Sequence, residues 1–258
     1  MPKLCANLSM LFNEYDFLDK FERAATAGFK GVEYLFPYQY ASNAIKQRLD
    51  DNQLTQVLFN LPAGDWAAGE RGITCHPDRV SEFREGVEKA IEYAKDLNCG
   101  QCNALAGIVP TDVSFEQAEE TFVDNLRFAS DKLKQQGIKL LIEAINTFDI
   151  PRFFLSNTQQ SLDIIGKVGS DNLSFQYDIY HMQRMEGELS STIQKQLPSI
   201  GHLQLADNPG RHEPGSGEIN YDFLLKFIDD LGYKGWIGAE YIPAEHTEQG
   251  LGWVKQYI

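Results

Sequence analysis

Two short apolar runs, GIKLLIE at residues 137–143 and LSFQYD at residues 173–178, each end in a carboxylate. Their near-continuous apolar character is typical of parallel β-strands that are covered on both faces. Gly137 stands at the start of the first run, where a preceding helix would stop. Parallel neighbours need a helical crossover between them. We therefore predict a strand–helix–strand unit with Glu143 and Asp178 at the carboxyl ends of its strands.

The same pattern recurs along the whole chain. The predicted strands are Leu4–Leu8, Gly31–Leu35, Leu54–Asn60, Gln101–Ala106, Lys139–Ala144, Leu173–Asp178, His202–Ala206 and Trp236–Tyr241. Between them, apolar residues repeat with a helical period, as in Phe83–Ala94 and Phe122–Leu133. Eight strands alternating with helices predict an α/β fold that is a single (β/α)₈ TIM barrel. No linker divides the chain, so we interpret residues 1–258 as one domain.

Composition limits the class of partner. The 258 residues are 43% hydrophobic and 23% charged, with a net charge of −14. This acidic balance disfavours nucleic acid, whose binding uses clustered Lys and Arg, but a local arginine can still hold a small anion. No apolar run reaches the length of a membrane span, and the opening MPKLCANLSM has no apolar signal-peptide core. We expect a cytoplasmic protein with no membrane partner.

The four cysteines, Cys5, Cys75, Cys99 and Cys102, fit a reducing compartment better than a disulfide framework. Cys99 and Cys102 have the C-x-x-C spacing of redox motifs, but no second pair completes a structural zinc site. We expect buried thiols.

Polar residues at corresponding positions of strands five to eight are the most informative feature. Glu143, Asp178, Gln204 and Glu240 all fall near strand ends, so a barrel would direct them into one cavity. Converging carboxylates in a dry cavity repel one another and lose hydration, and a divalent cation relieves both costs. Oxygen ligands suit Mg²⁺ or Mn²⁺. The alternative is that local hydrogen bonds or salt bridges satisfy each acid. His181 could contact substrate, support a ligand, or be purely structural.

Two long loops, Leu61–Gly72 and Asp207–Asn220, follow the third and seventh strands. Loops at the carboxyl ends of barrel strands commonly carry the active site. Arg71 and Arg211 are therefore candidates to bind a substrate carboxylate, with solvated surface arginines as the alternative. Trp66 could form a lid that excludes water, or could pack the loop on itself.

Longer strings of the sequence resemble the hydroxypyruvate isomerase family, in the xylose isomerase-like superfamily of (β/α)₈ barrels. The resemblance extends from Ala6–Phe12 to Gly250–Trp253. Its most specific segments are GVEYLFPY (31–38), LPAGDWAAGERGI (61–73), QYDIYHMQRMEGEL (176–189), GHLQLADNPGR (201–211) and GSGEINYDFL (215–224).

The resemblance implies interconversion of hydroxypyruvate and 2-hydroxy-3-oxopropanoate (tartronate semialdehyde). It places metal binding and catalysis on Glu143, Asp178, Gln204 and Glu240. The hypothesis is a metal-assisted proton transfer through an enediolate, with Glu143 and Glu240 as acid and base. Related sugar epimerases often use His at the third ligand position, and Gln204 in that place favours a hard cation.

Three alternatives follow from the same residues. A 2-oxotetronate or related sugar-acid isomerase would use the same site, and Ile242 stands where a lysine often follows the Glu-Tyr pair. A non-catalytic sugar-acid binding protein would bind the ligand without exchanging protons. A DNA-repair phosphodiesterase of the endonuclease IV type needs a His-rich zinc site, which five histidines and a charge of −14 disfavour. The aromatic content would permit a homo-oligomer interface.

Overall fold

The computed structural model describes residues 1–258, and its eight parallel strands form a closed barrel in chain order, with β1 paired to β8. The strands are β1 (Lys3–Asn7), β2 (Gly31–Glu33), β3 (Thr55–Asn60), β4 (Gln101–Ala104), β5 (Lys139–Glu143), β6 (Leu173–Asp178), β7 (Ile200–Leu205) and β8 (Trp236–Ala239). The predicted (β/α)₈ barrel is confirmed. Strands β2, β4 and β8 each end two residues before their predicted ends. The register of β2 with β3 shifts between Val32 and Glu33.

Helices follow the strands around the outside of the barrel. They are α1 (Lys20–Thr26), α2 (Ser42–Asp51), α3 (Val80–Asp96), α4 (Phe115–Lys134), α5 (Thr158–Val168), α6 (Ile179–Met185), α7 (Leu189–Gln196), α8 (Tyr221–Asp230) and α9 (Thr247–Gly250). Short 3₁₀ turns cover Phe17–Asp19, Pro77–Arg79, Leu197–Ser199 and Leu251–Gln256. A capping box starts α4, since Ser114 and Gln117 each bond the other's backbone N–H. No helix is long and apolar enough to cross a membrane.

Two separate apolar clusters build the core. The larger contains 67 buried residues, drawn from the strands and from the helices around them. The smaller consists of Cys5, Val57, Leu58 and Leu141, with Trp236 packed against it. Side chains two positions apart on a strand share a face, so Cys5 lies on the face of Asn7, and Leu141 on the face of Glu143. The smaller cluster is therefore the apolar base inside the barrel, below those polar side chains.

All four cysteines are buried and free, as the sequence predicted. Burial raises the pKa of the Cys75 and Cys99 thiols to about 12. The nucleophilic thiolate form of these cysteines is therefore disfavoured at neutral pH.

Candidate active site at the carboxyl end of the barrel

A cavity of about 230 Å³ opens at the carboxyl ends of the strands. Its wall includes seven of the residues singled out in the sequence: Trp66, Arg71, Glu143, His181, Gln204, Arg211 and Glu240. Asp178 is fully buried beside them, with its Oδ2 atom 3.7 Å from His181 Nε2 and 3.7 Å from Arg211 Nη2. The barrel thus brings together every predicted site residue.

Asp178 uses only one of its carboxylate oxygens inside the protein. As the N-cap of α6, it accepts hydrogen bonds at Oδ1 from the backbone N–H groups of Tyr180 (2.8 Å) and His181 (3.2 Å). Its Oδ2 atom is buried and has no hydrogen-bond partner. A buried, unpaired carboxylate oxygen is costly unless a ligand completes it. This atom is free to accept a ligand such as a cation.

Glu143, Asp178 and Glu240 form what we call the acidic wall. Burial raises the pKa of Glu143 well above its usual range, and the charges of Glu240 and Asp178 raise it further. Burial also raises the pKa of Glu240 to about 8, although Arg211 opposes the shift. The pKa of Asp178 is raised for the same reason, again against Arg211. Three buried carboxyl groups thus share one arginine, and burial together with their mutual repulsion favours the protonated forms of Glu143 and Glu240.

Arg211 is the internal counter-ion of the acidic wall. Its Nη2 atom lies 3.2 Å from Glu240 Oε1, and its side chain is only 18% exposed. The loop that carries it is braced by Asp207, whose carboxylate accepts backbone hydrogen bonds from Asn208, Gly215, Gly217 and Ile219. The backbone carbonyl of Arg211 accepts a 2.8 Å hydrogen bond from Ile242. These contacts rule out a solvated surface arginine.

Arg71 is held by different contacts, and some of its N–H donors have no partner in the protein. Its guanidinium stacks on the Trp66 ring at 4.3 Å, and Nη1 donates to the carbonyls of Trp66 (3.1 Å) and Glu70 (2.7 Å). The Trp66 ring in turn lies 5.1 Å from the Phe36 ring and lines the cavity. Only Nη1 has partners in the protein, so Nη2 and Nε remain free to bind a ligand.

The loop after β5 sets the tautomer of His181. Asn146 accepts backbone hydrogen bonds at Oδ1 from Phe148 (3.1 Å) and Asp149 (2.8 Å), so its amide nitrogen must point the other way. That nitrogen lies 2.6 Å from His181 Nδ1. Because the amide NH₂ donates, Nδ1 accepts, and the neutral ring carries its proton on Nε2.

His181 Nε2 lies 3.9 Å from Glu143 Oε1 and 3.7 Å from Asp178 Oδ2. Burial lowers the pKa of His181 well below its usual range, and the charges of Arg211 and Arg184 lower it further. His181 is therefore a neutral hydrogen-bond donor at the edge of the acidic wall.

A second group of polar side chains lies in the barrel beside the acidic wall. None of its members was among the site residues predicted from the sequence. Asn7, Glu33, Asn60, Asn103 and Gln176 are all at most 4% exposed, although they are polar. Several end their strands, as in KLCAN, GVE and TQVLFN. The criterion that identified Glu143, a polar residue closing an apolar strand, would have found these too.

His202 is also part of this group. It lies two residues before Gln204 on β7, and its Nε2 atom is 2.7 Å from Glu33 Oε2. We use the name polar layer for Asn7, Glu33, Gln176 and His202, together with Cys5 of the apolar base, whose thiol donates to Glu33. It touches the predicted ligand Gln204 directly, through Glu33 and Gln176.

The donor set fits a divalent cation. Glu143, Asp178 and His181 each offer a ligand atom within 4.8 Å of the others. His181 has its proton on Nε2, however, which leaves carboxylate and amide oxygens as the donors. Oxygen donors match hard cations of the Mg²⁺ and Mn²⁺ type.

Comparisons with known proteins agree with this geometry. Residues 21–257 match the family described as xylose isomerase-like TIM barrel. The chain is 56% identical to hydroxypyruvate isomerase of Escherichia coli, with 100% of both chains covered. It is 45% identical to 2-oxo-tetronate isomerase of Cupriavidus necator, with 100% of this chain and 99% of that one covered.

Among solved structures, a Brucella melitensis protein described as AP endonuclease, family 2, is 44% identical and superposes with a TM-score of 0.97. That comparison covers 100% of this chain and 99% of the other. The similarity is thus continuous in sequence and in backbone. The chain belongs to the xylose isomerase-like TIM barrel family, and within it is an isomerase.

Proposed function

We propose that the cavity interconverts hydroxypyruvate and 2-hydroxy-3-oxopropanoate. The single observation that carries this is the acidic wall around an unpartnered, buried Asp178 oxygen, with Glu143 and Glu240 both facing the cavity. In the forward direction one glutamate removes a proton from C3, which gives an enediolate, and a proton is returned at C2. The hydroxyl proton moves from the C3 oxygen to the C2 oxygen, so no oxidant or reductant is needed.

We further propose that Glu143, Asp178, Gln204 and Glu240 hold a divalent cation, Mg²⁺ or Mn²⁺. When bound, such a cation polarises carbonyl and hydroxyl oxygens and stabilises developing enediolate charge. Asp178 is suited to binding alone, because α6 fixes its Oδ1 atom and leaves Oδ2 free. Glu143 and Glu240 flank the cavity with different partners, Asn103 and Arg211, and both are assigned to proton transfer.

The substrate carboxylate is assigned to Arg71. Its Nη2 and Nε atoms have no partner in the protein, whereas Arg211 Nη2 already faces Glu240 and Asp178. Two parallel N–H donors of one guanidinium match a carboxylate well. Arg211 instead neutralises the acidic wall, and the Nε2–H group of His181 donates to a substrate oxygen.

A proton NMR experiment tests the reaction. The protein is stripped of metal and incubated with hydroxypyruvate in D₂O, first alone and then with Mg²⁺ or Mn²⁺. Metal-dependent formation of 2-hydroxy-3-oxopropanoate with deuterium at C2 or C3 is expected. Product without deuterium would contradict solvent-exchanging glutamates as acid and base. Failure to form any product with either cation would contradict the reaction itself.

A longer substrate, 2-oxotetronate, is the second candidate, because a relative named 2-oxo-tetronate isomerase is 45% identical over the full chain. In this chain Ile242, which follows the Glu240–Tyr241 pair, is 51% exposed and offers no charge to a longer acid. We therefore expect hydroxypyruvate to have the higher kcat/KM of the two. A higher kcat/KM for 2-oxotetronate in direct competition would reverse the order.

Two further alternatives are less well supported. A sugar-acid binding protein needs no proton-transfer pair, yet Glu143 and Glu240 both line the cavity. A phosphodiesterase with a His-rich zinc cluster would need several free imidazoles. His181 is the one histidine in the cavity wall, and it is committed to Asn146.

A further inference from the structure

Glu33, in the polar layer, is a buried carboxylate to which the reaction described above gives no role. It is 1% exposed, and its neighbours donate to both oxygens. Oε1 accepts from Asn7 Nδ2 at 3.0 Å and from Gln204 Nε2 at 2.8 Å. Oε2 accepts from His202 Nε2 at 2.7 Å and from Cys5 Sγ at 3.4 Å. Four donors from β1 and β7 thus converge on one side chain of β2.

Strand β8, which lies on the other side of β1 from β2, leaves room for this carboxylate. A Cβ atom placed on Gly238 of β8 would lie 2.2 Å from Glu33 Oε1 and 2.5 Å from its Cδ. The carboxylate therefore lies flat against the backbone of Gly238, in a space that any other residue at position 238 would fill. The absence of a side chain at Gly238 is thus a second feature, independent of the four donors, that fixes the position of the Glu33 carboxylate.

An ionised carboxylate can only accept hydrogen bonds. The Gln204 amide beside it must therefore present its NH₂ group to Glu33, which turns its carbonyl oxygen away. Gln176 agrees with this orientation, because its Nε2 atom donates to Gln204 Oε1 at 2.6 Å. A carbonyl oxygen has two lone pairs, so one remains free. Without Glu33, only Gln176 would oppose rotation of the Gln204 amide, and Gln176 Oε1 has no partner that fixes its own orientation. The two amides could then rotate together by 180°, and Gln204 would offer NH₂ to the cavity.

We propose that Glu33 is a positioning residue that fixes the Gln204 amide so that its oxygen faces the cation site. This inference rests on the proposed function, since it assumes that the cavity holds a cation. Groups that orient a ligand in this way typically change metal affinity by about 10- to 100-fold when altered. Glu33 lines the cavity, but protein donors already occupy both of its carboxylate oxygens, so its proposed role acts through Gln204.

Cys5, Glu33 and His202 could alternatively be a second metal centre, because their ligand atoms lie within 4.8 Å of one another. The contact between His202 Nε2 and Glu33 Oε2, at 2.7 Å, is a hydrogen bond. His202 Nδ1 also has a partner, the Gln101 side-chain amide at 3.4 Å. Hydrogen bonds within the protein already satisfy these side chains, so we expect one Mn²⁺ per chain.

Titration of the metal-stripped protein with Mn²⁺, followed by EPR of the free ion, tests the proposal. Glu33→Gln keeps the shape but can present either an oxygen or an NH₂ to Gln204, so we expect Mn²⁺ binding to weaken by about 10- to 100-fold. The double variant Glu33→Gln, Gln204→Glu should recover wild-type affinity. Both oxygens of a carboxylate at position 204 can bind a cation, so this side chain needs no fixed orientation. It still accepts a hydrogen bond from the amide introduced at position 33. Cys5→Ser, which alters only the Oε2 side of Glu33, is the matched control.

Gly238→Ala provides a second route if Glu33→Gln fails to fold. It pushes the carboxylate of Glu33 away while leaving Glu33 and Gln204 chemically unchanged, and weaker Mn²⁺ binding is again expected. Unchanged Mn²⁺ affinity in the folded variants would overturn the positioning role alone. Weak binding by Glu33→Gln without recovery in the double variant would also overturn it, in favour of a purely structural role. Absence of Mn²⁺ binding by the wild-type protein would instead overturn the proposed cation site, and this inference with it.

Discussion

Glu33 and Asp178 are both buried carboxylates in the same barrel, yet their surroundings have opposite effects on them. Burial acts to raise the pKa of Glu33, but nearby His202 and the hydrogen bonds from His202, Gln204 and Asn7 outweigh it and lower that pKa. Burial raises the pKa of Asp178 against the opposing charge of Arg211, and its Oδ2 atom has no partner.

The comparison shows that donors supplied by the protein, more than depth of burial, decide what a buried acid does. Glu33 is a satisfied anion that organises its neighbours. The acidic wall is left incomplete, which is what a site for a cation and a reacting substrate requires.

The largest effect is expected on turnover. Glu143→Gln and Glu240→Gln each remove a group assigned to proton transfer, so kcat should fall by about 10²- to 10⁴-fold with the fold preserved. Steady-state kinetics and circular dichroism measure the two quantities. Glu245→Gln, on the exposed segment after β8, is the matched control and should keep wild-type turnover. Near-normal turnover in both site variants would remove them from the chemistry.

The second-largest effect is expected on stability, where substitutions of Glu33 and Asp178 should differ. Glu33→Leu leaves four donors without an acceptor and should lower the free energy of unfolding of the metal-free protein by about 3 kcal/mol or more. Asp178→Asn keeps the N-cap of α6 and replaces a buried carboxylate whose Oδ2 atom accepts no hydrogen bond, so it should leave that free energy unchanged or higher. Urea unfolding curves measure both. Equal losses in the two variants would show that the two acids are not distinguished by their donors.

Binding of the substrate carboxylate should depend on Arg71. We expect Arg71→Ala to raise KM by about tenfold with little change in kcat, because the contact is present in both the ground state and the transition state. Arg84→Ala, which removes an arginine stacked on Phe128 outside the cavity, is the control. A fall in kcat with unchanged KM would move Arg71 from binding to chemistry.

The smallest effect is a pH dependence of the metal-free protein. The pKa of Glu240 is raised in the folded state to about 8, so the folded chain binds its proton more tightly than the unfolded chain. This contribution to stability is complete below the unfolded pKa and is lost as the pH rises through the folded one. The Tm of the metal-free protein should therefore fall between about pH 5 and about pH 8. A rising Tm over that range would contradict the raised pKa of Glu240 in the acidic wall.

Most of the fold could be predicted from the sequence, because strands buried on both faces have an unusual apolar composition. The end of β2 could not, since the register shift at Glu33 depends on how β3 lies beside it. The sequence identified Glu143, Asp178, Gln204 and Glu240 because they occupy equivalent positions in successive strand–helix repeats. The contact of Glu33 with His202 joins residues 169 positions apart, and only closure of the barrel brings them together.

A crystal soaked in Mn²⁺, with an anomalous difference map, tests the central contrast most directly. The account predicts one peak, within bonding distance of Glu143, Asp178, Gln204 and Glu240, and none in the polar layer. A peak among Cys5, Glu33 and His202, or no peak at the acidic wall, would contradict it.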